Sequence, residues 1–255
     1  MTAVLHVAAF ADNYIWLIRY EAGRAAIVDP GEAAPVVAAL EEHRLTPGAI
    51  LCTHHHGDHV GGVEELLTRY RVPVYGPARE PIPGITHRLG EGDRVRLGGL
   101  EFTVLEVPGH TAGHIAYYGH GRLFCGDTLF SAGCGRLFEG TAEQMYASLT
   151  RLAALPADTM VYCAHEYTAA NLRFALAAEP ENETAHAYLA RVEALTARRR
   201  PSLPSTIDLE KQINPFLRSH LPALRAAAEK HTGRALAAPV EVFAALRRWK
   251  DGFRA

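Results

Sequence analysis

Residues 53–62 read THHHGDHVGG and crowd four imidazoles and a carboxylate into one short run. Histidines that are satisfied inside a core occur singly, and a solvated charged surface would use Lys, Glu and Arg instead. Imidazole nitrogen and carboxylate oxygen are ligands that suit Zn, Fe or Mn. Because one ion takes only three or four protein ligands, the run indicates a metal centre whose remaining ligands lie elsewhere in the chain.

The rest of the chain limits the class of protein. A chain of 255 residues can bury one large core or two modest ones. Its net charge of −2 provides no basic field to recruit nucleic acid or an anionic membrane. The first residues lack a signal-peptide pattern, and the four cysteines form no CxxC pair. We therefore expect a cytoplasmic protein with reduced thiols that binds neither nucleic acid nor membrane. We also expect a monomer, although nothing in the sequence indicates the oligomeric state.

The order of the predicted elements favours an α/β fold with a helical appendage. AILCT at 49–53 predicts a buried strand that delivers the histidine run onto a loop. Strands and helices alternate up to about residue 140, and helical spacing predominates afterwards, interrupted by a Pro/Ser connector at 198–210. We place the boundary near residue 166, which gives a catalytic domain at 1–166 and a helical domain at 167–255.

Three further predicted strands end in candidate ligands. LEFTVLEVPGH ends in His110, GRLFCGD in Asp127 and TMVYCAH in His165. In α/β folds, sites are built on the loops that follow strand ends. One carboxylate bridging two ions, with three terminal ligands on each, would use all seven candidates, which are His54, His56, Asp58, His59, His110, Asp127 and His165.

The spacing also separates ligands from their neighbours. On an extended segment His54 and His56 point the same way and His55 points away, so we assign no metal to His55. We expect His114 to support a ligand rather than to bind metal. We expect the glycines of the run (Gly57, Gly61 and Gly62) to supply the freedom to turn that lets Asp58 and His59 both face the site.

Several motifs carry a family resemblance. THHHGDHVGG fits the THxHxDH signature of the metallo-β-lactamase superfamily, and four further segments follow in that superfamily's order: VDPG at 28–31, PGHTAGH at 108–114, CGDTLF at 125–130 and CAHEYT at 163–168. More closely, the chain resembles the glyoxalase II (hydroxyacylglutathione hydrolase) family at FADNYIWLI (10–18), GCGRLFEGTAEQM (133–145), INPFLR (213–218) and RRWKDGF (247–253).

The resemblance implies a fold and a division of the ligands. The fold is an αββα sandwich followed by a helical domain that binds glutathione. One metal is held by His54, His56 and His110, the other by Asp58, His59 and His165, and Asp127 bridges them. The resemblance favours two divalent ions, with zinc first and iron or manganese as alternatives. It also implies glutathione contacts from Arg136, Tyr167, Arg247 and Lys250. Where the family often has Tyr, this chain has Phe138, so a hydroxyl that could bind glutathione is absent.

The implied chemistry is hydrolysis of a glutathione thioester, in the second step of methylglyoxal detoxification. Two ions sharing Asp127 would lower the pKa of a shared water toward neutrality, and Asp58 would orient the resulting hydroxide. A thiolate leaving group, with a parent pKa of roughly 8.5, departs without a strong acid.

Three alternatives stay open. A persulfide dioxygenase with one iron shares the signature. A lactonase or β-lactamase relative shares the metals without the helical tail. A metal-holding scaffold protein would need no catalysis.

Overall fold

The computed structural model describes residues 4–21 and 23–254. These residues fall into two units: the first runs up to Val107 and includes Ala112–Gly126, and the second consists of Pro108–Thr111 and the described residues from Asp127 onward. The change of unit after Gly126 does not coincide with the predicted boundary near residue 166. That boundary therefore stays a prediction.

A mixed six-stranded sheet is the centre of the first unit. Its strands lie in chain order: β1 (Val4–Ala9), β2 (Asn13–Tyr20), β3 (Arg24–Val28), β4 (Thr46–Leu51), β5 (Val74–Pro77) and β6 (His87–Leu89). β1, β2 and β3 pair antiparallel, whereas β3 to β6 pair parallel. Helices α1 (Ala33–Glu42), α2 (Gly57–Val60) and α3 (Val63–Arg69) occupy the connections around β4.

Four strands of a second sheet lie in the same unit and pair antiparallel in chain order: β7 (Arg94–Leu97), β8 (Leu100–Glu106), β9 (Ile115–Gly119) and β10 (Arg122–Gly126). One face of the first sheet packs against α1 and α3 in a core that includes Ile27, Ile50, Val36 and Leu66. The two sheets meet where the buried Tyr117 of β9 donates a hydrogen bond to the carbonyl oxygen of Cys52, at 2.8 Å. The predicted α/β layering is confirmed.

The second unit is mostly helical. It contains two short antiparallel strand pairs, β11 (Leu129–Phe130) with β12 (Gly133–Cys134) and β13 (Met160–Cys163) with β14 (Ser205–Thr206). Its helices are α4 (Ala142–Ala153), α5 (Thr168–Ala178), α6 (Glu183–Thr196), α7 (Ile207–Ile213), α8 (Pro222–Thr232) and α9 (Pro239–Gly252).

Helix starts in this unit follow ordinary capping chemistry. Thr141 and Gln144 form a reciprocal capping box at the start of α4, with bonds of 3.2 and 2.9 Å. α8 and α9 each begin with a proline, whose missing N–H costs a helix nothing at that position. The connector predicted for 198–210 is shorter than expected, because Thr206 caps a helix there by accepting from Leu209 N.

In the described part of the chain, 4–21 and 23–254, no helix has both the length and the apolar character needed to cross a bilayer.

Candidate metal centre

The first unit brings the histidine run together at the end of β4. The end of the strand and the residue after it, Ala49 to Cys52, are apolar and buried, so they fix where the following Thr53 and His54 emerge. His54 Nε2 lies 3.1 Å from His56 Nδ1, and the rings of His54 and His59 are 4.1 Å apart between centroids. Asp58 Oδ2 lies 3.5 Å from His59 Nε2. All four predicted ligands of the run therefore converge.

Asp29 organises these imidazoles, a role that the sequence analysis missed. Its carboxylate accepts from Thr53 N at 2.7 Å and from Thr53 Oγ1 at 2.8 Å, and lies 3.1 Å from His59 Nδ1. Because Thr53 uses its hydroxyl hydrogen on Asp29, its oxygen is left to accept from His54 Nδ1 at 3.1 Å. Both His54 and His59 are thus protonated on Nδ1, so Nε2 is the nitrogen of each ring that can donate a lone pair to a metal. The only sequence signal was the VDPG segment that ends β3.

Asn13, His114 and Glu80 complete the surroundings of the run. Asn13 Nδ2 donates to Asp58 Oδ2 at 3.0 Å. The buried ring of His114 stacks on His54 with centroids 4.6 Å apart, and its supporting role stays a prediction. His55 Nδ1 lies 2.9 Å from Glu80 Oε2, so this imidazole has its own carboxylate partner.

The expected role of the glycines in the run is wrong. Gly57 lies inside α2, and Gly61 and Gly62 have φ values of −59° and −86°, which any residue can adopt. Gly61 and Gly62 instead leave space for the backbone that packs against them. A Cβ on Gly61 would lie 2.8 Å from Gly31 O, and one on Gly62 would lie 2.6 Å from Ala33 N. Close packing of the run against the β3–α1 connection explains why both positions are occupied by glycine.

The second unit brings the three strand-end ligands together, with Asp127 between the two histidines. His110 Nε2 lies 3.4 Å from Asp127 Oδ2, and His165 Nε2 lies 3.3 Å from Asp127 Oδ1. His110 Nδ1 lies 2.9 Å from the carbonyl oxygen of Arg136. Since a carbonyl can only accept, Nδ1 of His110 carries the proton, and Nε2 is the nitrogen that can donate a lone pair to a metal. Each oxygen of one carboxylate therefore faces a different imidazole.

The donor spacings inside each unit fit a transition metal. Two atoms bound tetrahedrally at about 2.0–2.1 Å from a zinc ion lie about 3.3–3.4 Å apart. The separations given above between donor atoms, His54 to His56, Asp58 to His59, and Asp127 to His110 and to His165, run from 3.1 to 3.5 Å. The atoms are imidazole nitrogens and carboxylate oxygens, which is the donor set that Zn, Fe and Mn accept.

Two predicted glutathione contacts are accessible side chains in the second unit. Arg136 is 64% exposed, with Nε 3.7 Å from Asp251 Oδ1. Tyr167 stacks on His165 at 4.7 Å between centroids, with an interplanar angle of 6°, and keeps an exposed edge. Phe138 is also exposed, and its ring meets His110 edge-on.

The two cations of α9 differ from one another. Arg247 is only 6% exposed and donates to Cys134 O at 2.7 Å and to Asp251 Oδ1 at 3.0 Å. Its guanidinium also lies over the ring of Phe216. Lys250 is half-buried and donates to Ala170 O at 3.2 Å. Burial, and then the charge of Arg247, lowers the pKa of Lys250 to about 8.

Comparison with known proteins assigns both parts of the chain to known families. The family model of the metallo-beta-lactamase superfamily matches residues 10–165, and the model of the hydroxyacylglutathione hydrolase C-terminus matches residues 166–253. The chain is 58% identical over 254 residues to the hydroxyacylglutathione hydrolase of Alkalilimnicola ehrlichii, covering 98% of this chain and 99% of that protein.

Two solved structures are similar at lower identity. A crystal structure of ETHE1 from Myxococcus xanthus is 27% identical with a TM-score of 0.68, covering 98% of this chain and 91% of the other. A di-iron-bound form of TTHA1623 is 30% identical with a TM-score of 0.59, covering 83% of this chain and 98% of the other. Together with the superfamily match, the His/Asp clusters of the two units support binding of divalent metal. The chain belongs to the hydroxyacylglutathione hydrolase family of the metallo-β-lactamase superfamily.

Proposed function

We propose that this protein hydrolyses S-(2-hydroxyacyl)glutathione thioesters, converting S-D-lactoylglutathione to D-lactate and glutathione, in the second step of methylglyoxal detoxification. The observation that carries the proposal is the match of residues 166–253 to the hydroxyacylglutathione hydrolase C-terminus. One fold with one set of metal ligands can catalyse many different reactions, so the fold by itself does not indicate a substrate. The tail is the part of the chain that distinguishes a glutathione thioesterase from a lactonase or β-lactamase relative.

The proposed cofactor is a pair of divalent ions, zinc in the first place and iron or manganese as alternatives. His54, His56 and His110 would hold one ion, Asp58, His59 and His165 the other, and Asp127 would bridge. The orientation of Asp127, whose two oxygens face different imidazoles, supports the bridging role. The di-iron form of TTHA1623 supports a dinuclear centre.

When bound, the ions would lower the pKa of a water toward neutrality and polarise the thioester carbonyl. The chain supplies the orientation. Asn13 holds one oxygen of Asp58, and the Asp58 side chain is 41% exposed, so its carboxylate can accept a hydrogen bond from the attacking water. The departing thiolate is a stable anion near neutral pH, so protonation by a strong acid is not required.

Glutathione itself would be bound by the second unit. It carries two carboxylates, for which Arg136 and Lys250 provide accessible positive charge. Tyr167 offers an exposed ring and hydroxyl. We keep Arg247 in the proposed glutathione site, where its buried guanidinium adds charge beside Lys250 and fixes the Cys134 carbonyl. In this proposal residues 1–166 form the catalytic domain and 167–255 the glutathione-binding domain of a cytoplasmic monomer.

The direct test combines a thioesterase assay with metal analysis of the purified protein. Loss of thioester absorbance with S-D-lactoylglutathione, in a preparation holding about two ions per chain, is the expected result. A single iron together with oxygen consumption on glutathione persulfide would replace the proposal with a dioxygenase. Two bound metals without turnover of any glutathione thioester would favour a lactonase, a β-lactamase relative or a scaffold protein.

A further inference from the structure

The hairpin formed by β11 and β12 is held along its length by side chains from the helices that follow it. We call Asn171, Glu210 and Asn214 the clamp; all three are buried, and all lie in the second unit. Asn171 belongs to α5, Glu210 to α7, and Asn214 follows α7 directly. Each bonds to a main-chain group between Phe130 and Gly133.

Asn214 binds both sides of the hairpin turn. Its Nδ2 donates to Phe130 O at 3.1 Å and to Gly133 O at 2.9 Å, and lies 3.2 Å from Glu210 Oε2. Its Oδ1 accepts from Phe216 N at 3.0 Å, which fixes the orientation of the amide. A residue with no side-chain donor could not satisfy these two buried carbonyl groups.

Glu210 and Asn171 hold the turn itself. Glu210 Oε2 accepts from Ala132 N at 2.7 Å. Ala132 has a φ of 54°, in the left-handed region that is disfavoured for alanine, so surrounding contacts must maintain it. Asn171 Nδ2 donates to Ser131 O at 3.0 Å, and a Cβ on Gly133 would lie 2.4 Å from the same amide nitrogen.

The hairpin joins two parts of the proposed metal centre. Asp127 precedes β11, and Arg136, whose carbonyl accepts from His110 Nδ1, follows β12. Between them Gly135 packs against Asp127, where a Cβ would lie 2.0 Å from the Asp127 carbonyl oxygen. A displacement of the hairpin would therefore move the Asp127 carboxylate and the carbonyl that orients His110 at once.

We propose that Asn171, Glu210 and Asn214 are positioning residues of the metal centre, through which the helical tail sets the place of Asp127 and the orientation of His110. The proposal rests on the proposed function, since it takes Asp127 and His110 as ligands. It gives the tail a second task besides binding substrate. Removal of a group that orients a metal ligand typically costs 10–100-fold in metal affinity or activity.

The test measures zinc affinity by competition with a chromophoric chelator, and Tm of the metal-free protein. Asn214→Asp keeps the shape of the side chain but replaces the donor NH2 group with an acceptor oxygen that faces Phe130 O and Gly133 O. We expect it to weaken zinc binding by about 10–100-fold. Asn171→Ala removes one bond and should weaken binding by less. Glu210→Ala removes the acceptor for Ala132 N and should also weaken zinc binding.

A matched control separates positioning from general stability. Leu224→Ala empties a buried site on α8 whose leucine cannot hydrogen-bond to the hairpin. It should lower Tm without changing zinc affinity. If the clamp variants and Leu224→Ala changed affinity equally at equal loss of Tm, or if Asn171→Ala and Asn214→Asp both bound zinc normally, the proposal would be wrong. A wild-type protein that binds zinc but hydrolyses no thioester would overturn the proposed function and leave the clamp intact.

Discussion

The carboxylate of Asp29 lies 3.1 Å from Nδ1 of His59, on the side of the imidazole away from Asp58. A carboxylate in this position fixes the tautomer, raises the basicity of the other nitrogen and holds the ring in place. A second pair of the same chemistry, His55 with Glu80 at 2.9 Å, lies in the same unit but on an imidazole assigned no metal. The two pairs provide a matched comparison.

The first prediction uses that comparison. Asp29→Asn should lower metal affinity by about 10–100-fold, because Thr53 N bonds to one carboxylate oxygen whereas Thr53 Oγ1 and His59 Nδ1 bond to the other, and an amide has only one acceptor oxygen. Glu80→Gln should leave metal affinity nearly unchanged. Chelator competition on both purified variants measures the difference. Equal losses would show that Asp29 acts only through general stability.

A second comparison concerns Asp127 and His55. Asp127→Ala removes the carboxylate that faces both His110 and His165, so metal content should fall below about two ions per chain and turnover should be lost. His55→Ala should leave metal content and turnover nearly intact. Elemental analysis and the thioester assay measure both. If the two variants behaved alike, the alternation argument for residues 54–56 would be wrong.

Local patterns predicted much of what positions the site. The apolar run AILCT became the end of β4, and the strands before His110, Asp127 and His165 lie close to where the pattern indicated. These features are local, since a strand that ends in a polar residue is visible in a few letters of sequence. The connector was misjudged because α7 is only seven residues long and follows two prolines, which conceals its period.

Contacts between distant residues were not predictable in this way. Asp29 lies 30 positions before His59, and only folding brings them together. The packing role of Gly61 and Gly62 depends on the approach of the β3–α1 connection. The helical spacing correctly placed Arg247 and Lys250 on one helix, α9. It did not show that Arg247 faces the core, because an arginine beside a basic neighbour usually lies in solvent.

The third prediction restores the hydroxyl that Phe138 lacks. The ring is 62% exposed, so a tyrosine fits without repacking. Phe138→Tyr should lower KM for S-D-lactoylglutathione by about 2–10-fold through one added hydrogen bond, with kcat unchanged. A thioester of a small thiol should show no change. An unchanged KM for both substrates would remove Phe138 from the glutathione site.

Arg247 is expected to support structure as well as binding. Arg247→Ala leaves the Cys134 carbonyl without its charged donor and opens space beside Phe216. Loss of a buried bond to a charged group should cost about 1.5–3 kcal/mol of the free energy of unfolding. Arg248→Ala, on the exposed side of the same helix, should cost little. Chemical denaturation of both variants measures the difference, and equal stability would contradict a structural role.

A prediction about pH follows from the pKa of Lys250, which burial and the nearby charge of Arg247 lower to about 8. Below that pH the amine is protonated and can bind a glutathione carboxylate; above it the charge is lost. KM for S-D-lactoylglutathione should therefore rise, by roughly tenfold, as pH increases through about 8. Lys250→Arg keeps its charge over this range, so its KM should stay flat. Lys250→Met should show a high KM at every pH.

The same pKa determines the sign of a stability effect. In the unfolded chain Lys250 titrates near its ordinary value of 10.5, so between about 8 and 10.5 the unfolded state binds more protons than the folded state. This residue therefore adds stability as pH rises through that window, and its charge is unfavourable to folding below it. Denaturation of wild-type and Lys250→Met protein at pH 7 and pH 10 should show that the difference between their free energies of unfolding is smaller at the higher pH.

The pH dependence of KM has a separate control. A parallel rise of KM with pH in wild type and in Lys250→Arg would assign that dependence to a group other than Lys250.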